Sequence, residues 1–254
     1  MYNKIKELIN EQGNVQIINR KYNENDLKNY VIDCTGFNRL VIDKFLSNNI
    51  FKDARLTNNS ALVYREEIIC NENHSTFTKF DKIKNSWSWK IPLKNDTSHG
   101  YVFNSNITTL EEASKEFANH LGIDTQKFNK IDMIAGRNIK HFYANDDIFL
   151  TSIGLSSAFI EPLESTGLYF TCLGLNMLKD VINKDMCRSD FEMIFNQEFD
   201  NVTEFILAHF HNNYIVRYSD IFPERSWNYL LKAEASLKKP KINLSTLQTL
   251  KEIQ

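Results

Sequence analysis

Residues 147–170 read D-I-F-L-T-S-I-G-L-S-S-A-F-I-E-P-L-E-S-T-G-L-Y-F, and the organisation of the chain can be worked out from them. The first part is rich in Ile, Phe, Leu and Thr and follows polar residues, which predicts a short buried strand. Gly154 predicts a tight turn, and Pro162 fixes one backbone dihedral and has no N–H to donate. From Ser165 to Ile182 apolar residues recur at helical spacing, which predicts a helix.

The start of this predicted helix, at Ser165-Thr166-Gly167, has the properties of an anion site. The first N–H groups of a helix have no partner inside it and carry about half a positive charge, so they favour an anion. Glu164 stands directly before that start. Two roles are compatible with its carboxylate: it caps the helix, or it acts as a catalytic acid or base.

Two motifs of the chain point to one family. The string G-L-S-S-A-F-I-E-P-L-E-S-T-G at residues 154–167 resembles the signature of the flavin-dependent halogenases of the tryptophan halogenase family. Residues 87–92, W-S-W-K-I-P, match the W-x-W-x-I-P marker of that family. The resemblance extends over essentially the whole chain. It implies an enzyme that halogenates an aromatic substrate, with indoles among the candidates.

The resemblance also implies the reactants and the site residues. The reactants are dioxygen, chloride or bromide, and reduced FAD supplied by a separate flavin reductase. In the family the residue at the position of Glu164 orients the electrophilic halogen or accepts the proton of the ring, so Glu164 is the expected catalytic residue. Ser165, Thr166 and Gly167 are expected to contact flavin, and Thr166 and Gly167 to hold the halide. Gly154 is expected among the cofactor-binding residues.

The tryptophans of residues 87–92 have two explanations. In a strand Trp87, Trp89 and Ile91 share one face, so they would simply cover one side of a sheet. In the family the tryptophans line the flavin side and keep the organic substrate away from the flavin. The resemblance therefore assigns Trp87, Trp89, Ile91 and Pro92 to cofactor binding.

Substrate-binding residues are expected near the end of the sequence. The stretch from His209 to Phe222 is similar to the part of the family that clamps an indole with an aromatic pair. It assigns Phe222, with the later Trp227, to the aromatic substrate. Pro223 stands where the family has a tryptophan, which argues against free tryptophan as the substrate.

The nucleotide-binding start of the family's flavin module is not found in this sequence. The family has a G-x-G-x-x-G fingerprint upstream of the strand that resembles residues 30–37, whereas only Gly13 and Gly36 precede Gly100 here. These glycines cannot form the turn that cradles a pyrophosphate. The family's catalytic lysine also belongs upstream. We therefore expect the chain to correspond to the C-terminal portion of a halogenase and to be inactive alone.

The pattern of elements predicts a mixed α+β fold. Strands are expected at residues 15–18 and in several runs within residues 60–105, with mostly helices towards the end. We expect residues 1–105 to be the sheet-rich remainder of an FAD/NAD(P)-binding module. Residues 106–254 are expected to hold the flavin and halide turn and a helical substrate-binding region. No linker rich in Gly, Pro or Ser separates the two, so they are predicted to pack as one unit.

Composition excludes several classes of protein. The chain has 30 basic and 32 acidic residues, which gives no electrostatic footprint for nucleic acid. No apolar run approaches the ~20 residues of a membrane span, and the start lacks the apolar core of a secretory signal. The four cysteines lack C-x-x-C spacing, and three of them sit in apolar surroundings, which favours reduced core thiols. The histidines lack the spacing of metal ligands. We expect a cytoplasmic protein without metal, membrane or nucleic-acid partners, and leave open whether it forms a homodimer.

Two other functions remain as alternatives. A flavin-dependent monooxygenase or reductase on the same scaffold needs direct access of substrate to the flavin, and the aromatic wall argues against it. A non-catalytic partial module would bind flavin or a partner weakly without turnover. An upstream sequence with G-x-G-x-x-G and a lysine would distinguish the halogenase from both.

Overall fold

The structure, a computed structural model, describes residues 6–9, 11, 13–21, 23, 29–67, 77–124 and 128–211. In chain order its strands are β1 (Asn29–Asp33), β2 (Ile50–Phe51), β3 (Ser60–Glu67), β4 (Lys79–Lys82), β5 (Trp87–Pro92), β6 (Asp96–Phe103), β7 (Asn129–Asp132), β8 (Gly136–Asn138), β9 (Phe142–Ala144), β10 (Ile148–Ser152) and β11 (Ala158–Phe159). The α-helices that matter for the site are α1 (Ile42–Phe45), α2 (Leu110–Leu121), α3 (Thr166–Asn183) and α4 (Arg188–His211).

A three-stranded sheet holds the strand that leads into residues 154–167. Its order is β1-β10-β9, with β1 and β10 parallel and β10 and β9 antiparallel. The buried carboxylate of Asp33 accepts hydrogen bonds from the N–H groups of Val41 and Ile42, at 2.9 and 2.8 Å. The Ile153 N–H donates to the Asp33 carbonyl at 3.0 Å. The chain is therefore fixed to β1 immediately before Gly154.

A five-stranded antiparallel sheet, with the order β4-β5-β6-β3-β7, carries the motif at residues 87–92. The motif forms β5, and its register places Trp89 opposite Gly100 on β6. A Cβ atom at Gly100 would lie 1.9 Å from a ring carbon of Trp89. A residue without a side chain is required there, because the indole packs directly on the backbone of β6. A third, small sheet has the order β11-β8-β2.

Helices α3 and α4 pack against the sheets through an aromatic core. Phe191, Phe195 and Phe199 recur every four residues on α4 and are fully buried, so they form the inner face of that helix. Phe170 of α3 lies against them, with its ring centroid 5.5 Å from that of Phe195. The same core cluster includes Trp87 of β5. One core therefore contains side chains from both sides of residue 105.

The mixed α+β fold predicted from the sequence is confirmed. The helix start predicted at Ser165-Thr166-Gly167 is also confirmed, since α3 begins at Thr166. The division into residues 1–105 and 106–254 stays a prediction. In the described ranges, no helix has the length and apolar character needed to cross a bilayer.

Two predictions are wrong. The backbone at residues 15–18 forms no strand. Val15, Ile17 and Ile18 are about half exposed, so no sheet formed by the described residues covers their apolar side chains. Cys34 and Cys187 are exposed free thiols and not core residues, because one follows the end of β1 and the other precedes α4.

Candidate active site

The candidate site is built on the connection between β10 and α3. After β10, Gly154 adopts φ 71° and begins a 3-10 turn, Gly154–Ser156. A positive φ of this size favours glycine, which has no Cβ to clash. β11 follows, and after Pro162 a second 3-10 turn, Leu163–Ser165, runs directly into α3. The two turns deliver residues 161–167 to the N-terminal end of α3.

Two consecutive residues of this connection have left-handed backbone conformations. Glu164 has φ 58° and ψ 18°, and Ser165 has φ 53° and ψ 32°. Neither is a glycine, and this region costs an L-residue about 1–2 kcal/mol. Strain of this kind persists only where the surroundings enforce it, and it occurs often at functional sites. Here Leu163 and Thr166, one on each side of the pair, are buried and hold the turn in place.

The turn leaves the start of α3 without a side-chain cap. The Ser165 side chain makes no capping hydrogen bond. In the described part of the chain no side chain accepts from the N–H of Thr166 or Gly167, and within the 3-10 turn the Ser165 N–H donates to the Pro162 carbonyl at 3.3 Å. The Thr166 hydroxyl donates instead to the Glu161 carbonyl, at 3.0 Å. Uncapped donors at the positive end of a long helix favour a bound anion.

A cavity of about 400 Å³ opens beside this turn. It is lined by Leu155, Phe159, Glu161, Pro162, Ser165, Gly167, Leu168 and Thr171. Gly167 keeps it open, because an added Cβ would contact side-chain carbons of Leu155 at 3.4 Å and Phe159 at 3.5 Å. The cavity combines apolar walls, a helix start and one acidic side chain, which is a typical composition for a ligand site.

The side chain of Glu164 is directed towards α4 and does not cap α3. Its Oε1 atom lies 3.6 Å from Nε2 of His209, and 44% of its side chain is exposed. Nδ1 of His209 lies 3.0 Å from the Phe205 carbonyl. A carbonyl only accepts, so Nδ1 of His209 donates to it. The carboxylate of Glu164 is accessible to a ligand because much of its side chain is exposed.

The two tryptophans of β5 lie side by side, with ring centroids 5.8 Å apart. Trp87 is buried, and its indole N–H donates to Oε1 of Glu161 at 2.5 Å. Trp89 is partly buried. Neither of them, and neither Ile91 nor Pro92, lines the cavity beside the turn. The structure thus connects Trp87 to the turn through Glu161, and the role of the four residues in cofactor binding stays a prediction.

Glu161 is the residue of this site that the sequence analysis did not assign. Only 4% of it is exposed, and its Oε1 also accepts from the Asn58 amide at 2.8 Å. Burial raises the pKa of its carboxyl to about 7, and the hydrogen bonds from Trp87 and Asn58 lower the pKa by less. The sequence feature that could have indicated a buried functional carboxyl is the acidic residue inside the apolar string A-F-I-E-P-L.

The predicted substrate residues Phe222 and Trp227 lie outside the described residues, so their role stays a prediction. No group of three or more His, Cys, Asp or Glu side chains within the described ranges is arranged to hold a metal ion.

The fold is that of flavin-dependent halogenases. BrvH, a flavin-dependent halogenase from Brevundimonas sp. BAL3, aligns with a TM-score of 0.62 at 24% identity, over 78% of this chain and 47% of BrvH. A tryptophan halogenase from Shewanella frigidimarina NCIMB 400 aligns with a TM-score of 0.65 at 24% identity, over 77% of this chain and 41% of the other. At these identities the likeness concerns the fold.

Sequence comparison extends the likeness to a family. A family model for tryptophan halogenases matches residues 4–227. Tryptophan 7-halogenase RebH from Lentzea aerocolonigenes is 35% identical over 188 residues, which are 71% of this chain and 35% of RebH. The chain belongs to the tryptophan halogenase family, as its two motifs predicted. It spans about a third of the length of RebH.

Proposed function

We propose that this chain forms the halide and substrate side of a flavin-dependent halogenase that acts on an aromatic substrate. The observation that carries the proposal is the turn at residues 161–167, where a left-handed pair leads into a helix start that has no side-chain cap and lies beside a cavity. Membership of the tryptophan halogenase family supports it. The proposal also places the protein in the cytoplasm, with reduced FAD supplied by a separate flavin reductase.

The N–H groups of Thr166 and Gly167 are the proposed halide site. A helix start attracts an anion by about 0.3–1 kcal/mol when exposed and up to about 2 kcal/mol when partly buried. Thr166 is buried and its hydroxyl is engaged by the Glu161 carbonyl, which fixes the orientation of its peptide unit. Glu164 faces His209, so its charge is not committed to the same N–H groups. These features suit chloride or bromide.

Glu164 is the proposed proton acceptor. When a halogen adds to an aromatic carbon, the ring carries a positive charge until the C–H proton at that carbon leaves. A carboxylate beside the ring accepts that proton, and the C–H bonding electrons return to the ring. The carboxylate of Glu164 is accessible and anchored on a turn held by buried neighbours, which keeps it in one place.

The cavity next to the halide site fits the edge of a flavin ring. Leu155, Phe159 and Pro162 provide apolar walls, and Gly167 leaves the space that a Cβ would fill. When bound, reduced FAD would activate dioxygen, and the dioxygen is the oxidant that turns halide into an electrophile. We assign Gly154 and Ser165 to the same cofactor side, because both belong to the two turns that bracket this cavity.

The test is a halogenation assay on the longest natural polypeptide that contains this sequence. Reduced FAD is regenerated by a flavin reductase, chloride or bromide is added, and indoles and phenols are offered as substrates. Mass spectrometry of a halogenated product supports the proposal. Hydroxylated product without halogen favours the monooxygenase alternative, and absence of turnover with weak flavin binding favours a non-catalytic module.

A further inference from the structure

Glu161 connects three parts of the chain around the cavity. Its Oε1 accepts from the indole N–H of Trp87 at 2.5 Å and from the Asn58 amide at 2.8 Å. Its carbonyl accepts from the Thr166 hydroxyl at 3.0 Å. The side chain is thus bonded to β5 and to the segment before β3, while the backbone is bonded to the start of α3.

Among the residues that the structure describes, no positive charge compensates the Glu161 carboxyl. Its two side-chain partners, Trp87 and Asn58, are neutral. The charged side chains on the surrounding elements are exposed or face other partners: Arg55 faces Asp53 and Glu204, Glu164 faces His209, the partly buried Arg137 of β8 faces Asp200, and Lys90 is exposed. None of these is among the causes of its pKa shift, in which burial is the largest. A carboxyl in this environment exchanges its proton near neutral pH.

An anion in the cavity would act on that proton. Glu161 lines the same cavity as Ser165 and Gly167. A nearby negative charge favours the neutral form of a carboxyl, and the effect is strong where water is excluded. Coupling between two binding equilibria is reciprocal, so an ionised Glu161 must weaken anion binding by the same factor.

We propose that Glu161 is a positioning residue whose proton couples halide binding at the start of α3 to the hydrogen bond of Trp87. With the carboxyl neutral, a halide is tolerated at the N–H groups of Thr166 and Gly167. With the carboxyl ionised, the charge strengthens the hydrogen bond from Trp87 and repels the halide. Slightly above neutral pH, halide binding is therefore accompanied by partial uptake of a proton from water by Glu161. The inference rests on the halide site proposed above.

The first measurement follows the indole of Trp87 by NMR. The chain is labelled with ¹⁵N in its tryptophans and titrated from about pH 5 to about pH 9 in chloride-free buffer. Trp87→Phe identifies the Trp87 indole peak. We expect this peak to shift with a midpoint near pH 7, following the carboxyl to which it donates. In Glu161→Gln the peak should not titrate, whereas Glu67→Gln, which removes an exposed carboxyl at the end of β3, should behave as wild type.

The second measurement adds saturating chloride to the wild-type chain. We expect the Trp87 midpoint to rise by about one pH unit, equivalent to roughly tenfold stronger chloride binding to the protonated form. The backbone amide peaks of Thr166 and Gly167 report chloride binding itself. This measurement needs no variant of Glu161, so it decides the question even if Glu161→Gln does not fold.

The outcomes separate the two proposals. If chloride moves the amide peaks of Thr166 and Gly167 but not the Trp87 midpoint, the coupling is overturned and the halide site stands. If chloride moves neither, the halide site and the coupling both fall. A Trp87 peak that does not titrate overturns the role of Glu161, whatever the halogenation assay shows.

Discussion

The Oε1 atom of Glu164 lies 3.6 Å from Nε2 of His209, so the turn before α3 and the last part of α4 meet at the proposed proton acceptor. The sequence predicted the substrate side just beyond His209. The proposed base, Glu164, therefore lies next to the end of α4, the helix that precedes the predicted substrate residues in the sequence.

Glu164→Gln should lower halogenation by about 100-fold or more in an active polypeptide, the usual scale for losing a positioned general base. FAD binding should be nearly unchanged, because the amide keeps the shape of the side chain. Product formation is measured by mass spectrometry and FAD binding by calorimetry, with Glu67→Gln as the exposed control. Wild-type activity in Glu164→Gln would leave Glu164 as a structural residue of the turn.

Glu161→Gln should stabilise the protein at alkaline pH. Burial raises the pKa of Glu161 from 4.5 to about 7, so its contribution to stability is full below pH 4.5 and is lost as the pH rises through about 7. The loss corresponds to about 3 kcal/mol. Glutamine imitates the protonated form, so urea unfolding should show the variant more stable near pH 8 by up to about that amount and equal to wild type near pH 4. Equal stability at both pH values would show that Glu161 is not buried in the manner described.

His141 should produce the opposite pH dependence. Burial lowers its pKa from 6.5 to about 4, opposed by the hydrogen bond to Asn196 and reinforced by the charge of Arg137. The folded state therefore resists protonation of His141, and stability that is full above pH 6.5 is lost as the pH falls towards 4. In His141→Gln this part of the acid destabilisation should be absent from a series of urea unfolding curves. A curve that still falls as in wild type between these pH values contradicts the prediction.

Two glycine substitutions should differ sharply. Gly100→Ala places a Cβ 1.9 Å from the Trp89 ring, so we expect a loss of about 1–3 kcal/mol or more in the free energy of unfolding. Gly167→Ala meets its nearest neighbours at 3.4 and 3.5 Å, so the chain should fold normally and lose cavity space. Thermal unfolding measures the loss of stability in Gly100→Ala. For Gly167→Ala, halide titrations should show that the smaller cavity weakens the binding of the larger bromide more than that of chloride. Equal melting temperatures for the two variants would contradict the packing of Trp89 on β6.

The chain as a separate polypeptide should bind FAD weakly. Its sequence offers no glycine-rich turn for the pyrophosphate before Gly100, and the cavity beside α3 has room for only part of the cofactor. Calorimetry on the purified chain tests this, with a full-length member of the family as the comparison. Tight binding, or a yellow colour retained through gel filtration, would contradict it.

Local sequence was sufficient to predict the start of α3 and the strand of residues 87–92. Both depend on neighbours a few positions away: apolar spacing after Ser165 and alternation between Trp87 and Trp89. The exposed strand β7, N-K-I-D, has no such pattern, because every one of its side chains is exposed. Its position comes from pairing with β3 and not from its own residues.

The environment of Glu161 could not be predicted for a different reason. Its partners Trp87 and Asn58 are 74 and 103 positions away in the chain, and only the fold brings them together. The left-handed conformation of Glu164 and Ser165 could not be predicted from the sequence either, because residues with a Cβ normally avoid it. The resemblance to the family predicted a catalytic role for Glu164, and only the structure shows which residues surround it.

The left-handed pair has a consequence for anyone who wishes to move this site. A synthetic peptide with the sequence of residues 154–167 would relax both residues to the right-handed region, and the N–H groups of Thr166 and Gly167 would lose their arrangement. A graft into another scaffold must therefore carry the pockets that bury Leu163 and Thr166, or place glycine at both strained positions. The second option removes the carboxylate of Glu164, so the acid and its geometry can be transplanted only together with the fold that enforces them.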